Sequence, residues 1–180
     1  MEEGRIIMTL EKHIVDTMKE WQIKIGSFDS NIRLYYPKVS LCRHLGLEDT
    51  IENEKLREKV EQYLLEIQYL GAVNVSKDGD RYCILIDKLG CDYVEQKVAE
   101  PEFLRNFLRV LKSQNMQAVI DYFKGFADEN GTVLKMEKEE HGVVLYFENE
   151  KADAYMYCID ENEFGITYHR FTREDYEGIK

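Results

Sequence analysis

The side chains best able to do chemistry in this chain are 4 histidines, 4 cysteines, 12 tyrosines and 35 carboxylates. The histidines, His13, His44, His141 and His169, are scattered, and no two cysteines form a CxxC pair. Cys42-Arg43-His44 sets two potential ligands two residues apart, but on a helix these point in different directions. No second pair follows at the spacing a zinc site needs. Nucleophilic catalysis needs a nucleophile, a base and a group that orients the base. Neither a GxSxG turn nor an HExxH helix is present. Gly125-Phe126-Ala127 lacks both the spacing and the lysine of a phosphate-binding loop. The carboxylate runs Glu137-Lys138-Glu139-Glu140 and Asp160-Glu161-Asn162-Glu163 fall where turns are expected, with nothing apolar around them to shift a pKa. No catalytic, cofactor-binding or metal-binding residue is assigned on these grounds, and the expectation is a chain that recognises rather than catalyses.

Recognition chemistry is better represented. Formal net charge is −11, a field that opposes nucleic acid and anionic membranes and favours cationic partners. Residues 100–180 hold 17 acidic and 10 basic residues, a net of −7, against −4 for residues 1–99. Several of the tyrosines fall in the strands expected in the more acidic half. Strand alternation places Val143, Leu145 and Phe147 on one side and Tyr146 on the other. If the first set faces the core, Tyr146, Tyr155, Tyr157 and His169 come together on the opposite face. Aromatic side chains ringed by charge are a common way to build a protein interface, so these four form the candidate interaction surface. The expected partner is another protein, a basic one on charge grounds.

The elements that must position these residues follow from periodicity. From Thr9, the spacing of Leu10, Ile14, Met18, Trp21 and Ile25 predicts a helix that Gly26 ends. Residues 1–8 read as a loose leader. Ile32–Tyr36 reads as a short extended piece, and Ser40 as the cap of a short helix that stops at Gly46. A longer helix is expected over Glu52–Leu70. The stretch VNVSKDGDRYCILI carries a hairpin signal at Asp78-Gly79, and LGCDYVEQKV reads as a further helix. Ala99-Glu100-Pro101 is the candidate boundary between the two halves. Beyond it, Leu104, Phe107, Leu108 and Leu111 mark one helix, and Val119, Ile120, Phe123 and Phe126 a second from about Asn115. Four strands are expected next, over Thr132–Lys138, Gly142–Glu148, Ala154–Ile159 and Phe164–Phe171, with a last helical turn capped by Thr172.

Over residues 9–98 the order helix, short strand, short helix, longer helix, hairpin, helix resembles the winged helix. The stretch NVSKDGDRYCILIDKLGCDYVEQKV is similar to the wing and closing helix of winged-helix transcriptional regulators, with Gly90, Tyr93 and Val94 at the matching places. The resemblance implies DNA binding by the helix that follows the turn, which enters the major groove by its N-terminal residues. Here those residues read Gly46-Leu47-Glu48-Asp49-Thr50-Ile51-Glu52-Asn53-Glu54, and their four carboxylates oppose phosphate. The whole chain also resembles an uncharacterised bacterial family, a domain of unknown function from gut anaerobes.

The reading is therefore an α+β protein. A winged-helix-like unit spans 9–98, and two helices pack on a four-stranded antiparallel meander over 101–180. A non-catalytic recognition or regulatory role leads, a DNA-binding regulator is the alternative, and an enzyme comes third. The opening residues lack an apolar core of signal-peptide length, and no stretch approaches the roughly 20 apolar residues that span a bilayer. The cytoplasm is the expected compartment.

Overall fold

A computed structural model describes residues 8–26 and 31–180. The leader expected over residues 1–8 lies outside this range except for Met8, which is buried. Contacts divide the described chain into two units, Met8–Pro101 and Glu102–Lys180.

In the first unit the elements are α1 (Leu10–Ile25), β1 (Ile32–Pro37), α2 (Lys38–Leu45), α3 (Asn53–Leu65), β2 (Val73–Asp78), β3 (Arg81–Ile86) and α4 (Lys88–Lys97). Thr9 caps α1 by accepting from the Lys12 N–H. The three strands form an antiparallel sheet in the order β1-β3-β2. Asp78 lies opposite Arg81, and Gly79 takes φ +62° in the two-residue turn between them. Leu10, Ile14 and Met18 of α1, Leu56, Val60 and Leu64 of α3, and Ile32, Leu34, Ile84 and Ile86 of the sheet fill an aliphatic core. At Gly90 any Cβ would lie 2.6 Å from the Leu70 carbonyl oxygen, so only glycine lets α4 pack this closely.

Two expectations are corrected here. The helix expected over Glu52–Leu70 ends at Leu65, and a separate 3-10 turn spans Gln68–Leu70. Ile67 breaks the run with ψ 83°, and both Ile67 and Leu70 then reach the core. Ser40 is not a cap. The short helix starts earlier, at Lys38 behind Pro37, and Ser40 is buried inside it.

The second unit comprises α5 (Glu102–Leu111), α6 (Met116–Glu129), β4 (Leu134–Lys138), β5 (Gly142–Phe147), β6 (Tyr155–Asn162), β7 (Gly165–Thr172) and α7 (Arg173–Ile179). The sheet is an antiparallel meander, β4-β5-β6-β7. Asn115 caps α6 and Thr172 caps α7, each through its side-chain oxygen. Phe103 and Phe107 of α5 and Phe123 of α6 meet Tyr157 of β6, with ring centroids 5.2–5.7 Å apart and mostly edge to face. Phe147 of β5 joins them, 5.7 Å from Phe123. The other side of the sheet is covered by α7, where Tyr176 packs with Val144 and Met156, flanked by Tyr146, Cys158 and Phe171. The mixed α+β class and the four-stranded antiparallel sheet stand as read. Among the described residues, no helix is long and apolar enough to cross a membrane.

Candidate functional site

The tyrosine surface expected at Tyr146, Tyr155, Tyr157 and His169 does not form. Leu145 lies opposite Tyr157, and Tyr157 opposite Arg170; Val144 lies opposite Cys158, and Cys158 opposite His169. Residues directly opposite share a face, so Tyr155 and Tyr157 turn to the helices while Tyr146 and His169 turn to the side of α7. Tyr157 is fully buried, and its hydroxyl donates to Asp153 Oδ2 at 2.9 Å. Tyr155 is 5 % exposed, with the Arg170 guanidinium 4.1 Å from its ring centre. Tyr146 is half-buried; its hydroxyl donates to Glu137, and Arg173 lies 4.6 Å over its ring. Only His169 is exposed.

What the second unit offers instead is a groove between α5 and α6. Its volume is about 630 Å³, and its lining includes Glu102, Phe103, Tyr122, Gly125, Phe126 and Glu129. The aromatic floor is held from both helices: Phe103 lies 4.5 Å from Phe126 and 5.4 Å from Tyr122, and the Tyr122 hydroxyl donates to the Phe103 carbonyl at 2.9 Å. Burial, then the carboxylates of Glu102, Glu129 and Asp153, push the Tyr122 phenol up to about 12. The ring is thus a neutral donor at physiological pH, in a local field that is negative.

Two features of this groove run against what the fold needs. Glu129 follows Asp128 at the C-terminus of α6, whose last turn holds no basic residue. Carboxylates there face the negative end of the helix dipole. Among the described residues neither Glu102 nor Glu129 forms an ion pair. Gly125 lies in the interior of α6, and a Cβ built on it would meet nothing within 4 Å. Neither space nor a left-handed φ requires glycine at this position, where it weakens the helix.

The sequence missed this site because Glu102 lies outside the helical face that Phe103, Leu104 and Phe107 share. A mid-helix glycine followed by Asp128-Glu129, with no basic residue in the last turn, was the available signal.

The remaining candidate chemistry is muted. Burial pushes the thiols of Cys42 and Cys91 up and that of Cys158 to about 11, so none is poised as a thiolate. His13 and His44 do meet, with rings 5.3 Å apart. Their Nδ1 atoms are engaged, one with the Tyr36 hydroxyl at 2.8 Å and the other donating to the Met8 carbonyl at 3.0 Å. Among the described residues no group of three or more His, Cys, Asp or Glu could hold a metal ion.

Residues 7–180 match the family described as "Domain of unknown function, E. rectale Gene description (DUF3877)", and the chain belongs to that family. No curated protein and no solved structure matches it.

Proposed function

We propose, from the geometry above, that this chain is a non-catalytic recognition protein. Its C-terminal unit binds a cationic partner in the α5–α6 groove. The observation that carries the reading is the pair of carboxylates, Glu102 and Glu129, set above an aromatic floor with no ion pair among the described residues. A cation entering there gains attraction from the rings and from both carboxylates, in a field that already favours positive charge. The test is to place a photo-crosslinking side chain at Asn106 of the full chain in the source organism. Crosslinks to a basic partner that Glu129→Lys suppresses are the expected result. Crosslinks indifferent to that charge reversal would overturn the reading.

A DNA-binding regulator is the second reading, supported by the helix order of the first unit and its β2–β3 hairpin, which resemble those of a winged helix. The charge of α3 weighs against it. Arg57 is bracketed by Glu54 at 2.6 Å and Glu61 at 3.0 Å, and Lys55 pairs with Glu52 at 3.2 Å. Cations already held by carboxylates one turn away release few counterions on meeting phosphate. Tight, steeply salt-dependent binding to duplex DNA would place this reading first.

A further inference from the structure

We infer, resting on the reading that the α5–α6 groove holds a cation, that the cation is the guanidinium of an arginine presented by an extended segment of a partner protein. Three features select this occupant. The first is the floor. Tyr122 and Phe126, both half-buried and backed by the buried Phe103, offer aromatic surface on which a planar, weakly hydrated guanidinium stacks better than a compact ammonium.

The second is the pair of amides that also line the groove. Asn106 Oδ1 accepts from Arg109, and Asn130 Nδ2 donates to the Phe126 carbonyl. Among the described residues this leaves the Asn106 Nδ2 hydrogens and the Asn130 Oδ1 lone pairs without partners. One unmet donor and one unmet acceptor complement a peptide group, which has one of each. A free polyamine only donates and would leave the Asn106 donor unanswered.

The third is Gly125. It lines the groove and has open space where a side chain would stand. An extended backbone can therefore lie against α6 while its arginine reaches Glu102 and Glu129. Net charge agrees: residues 102–180 hold 16 acidic and 10 basic residues, so a basic segment is drawn to this unit before it docks.

The experiment follows the Gly125 and Asn130 amide signals of the full, isotope-labelled chain in NMR spectra. The probes are a short Gly/Ser peptide bearing a pair of arginines, the same peptide with lysines, and spermidine. The arginine peptide is expected to shift both signals and to bind about tenfold more tightly than spermidine, a difference of about 1.4 kcal/mol. Glu102→Gln with Glu129→Gln is expected to weaken it about tenfold, the worth of two partly exposed ion pairs. Gly125→Arg, which fills the groove with its own cation, is expected to abolish binding while the thermal midpoint stays near that of the wild type. Glu163→Gln, at the β6–β7 turn, is expected to change nothing. Equal binding by the lysine peptide would overturn the arginine assignment. Spermidine binding as tightly as the peptide would overturn the protein partner while leaving the cation groove intact. Silence of Gly125 toward all three probes would sink both.

Discussion

The exposed face of α3 and the α5–α6 groove are both acidic, yet they are electrically different places. On α3 the carboxylates of Glu52, Glu54 and Glu61 each hold a lysine or arginine within 3.2 Å. The Arg57 hydrogen bond holds the Glu54 carboxyl below its ordinary value. Such i,i+3 and i,i+4 pairs support a solvated helix and need nothing from outside it. In the groove, Glu102 and Glu129 have no such partners among the described residues, and Glu129 opposes the dipole of its own helix. Net charge alone cannot separate these cases. What separates them is that most carboxylates at the start of α3 hold a cation within one turn, whereas Glu102 and Glu129 form no ion pair among the described residues and sit beside aromatic surface.

The cores beneath the two surfaces differ as well, and the largest expected effects lie there. Phe123→Ala removes a ring that touches Phe103, Phe107, Phe147 and Tyr157. It should cost about 3–5 kcal/mol in denaturant unfolding, against about 2–5 kcal/mol for Leu56→Ala in the aliphatic core of the first unit. A loss below about 1 kcal/mol at either site would contradict the packing described.

Gly125→Ala should act in the other direction, raising stability by about 0.5–1 kcal/mol, because the helix gains a better former and the space is open. A loss of stability would mean that the glycine serves the fold rather than the groove. The smallest and most diagnostic effect is one of sign. Glu129→Gln relieves the end of α6 and should stabilise by a few tenths of a kcal/mol. Glu54→Gln removes the partner of Arg57 and should destabilise. If both substitutions move the thermal midpoint the same way, the contrast between the two surfaces fails.

Acid sharpens that contrast. A carboxyl lowered in the folded state stabilises fully above its unfolded pKa, and the contribution is lost as pH falls through the lowered value. Glu54 and Glu137 are both lowered, the latter first by the Lys180 hydrogen bond and also by those from Tyr146 and Tyr176. Stability measured below neutral pH should therefore decline through the carboxylate range, and Glu137→Gln should flatten part of that decline.

Much of the fold was legible because it is written locally. Thr9, Asn115 and Thr172 cap helices through their own side chains. Gly79 supplies the positive φ that the hairpin needs, and the spacings of Leu10, Ile14 and Met18 mark a buried stripe. The break at Ile67 was not legible, since Leu64, Ile67 and Leu70 keep a perfect helical spacing and all become buried. The groove was not legible either, because its two carboxylates lie 27 residues apart and meet only where α5 packs on α6.

The tyrosines mark the boundary most clearly. The period of a strand is two, so the sequence by itself determined that Tyr155 and Tyr157 share a face and that Tyr146 opposes Leu145 and Phe147. Which face of β6 meets the face of β5 that carries Leu145 depends on pairing between strands, and a shift of one residue exchanges the two sides. The tertiary structure sets Leu145 opposite Tyr157 and places Phe103, Phe107 and Phe123 above them. Tyr157 can enter that core because Asp153 accepts from its hydroxyl and Arg170 hydrogen-bonds to it as well, so the buried phenol is paired. Alternation is a property of one chain segment, whereas register is a free-energy choice among whole packings, and only the folded molecule makes it.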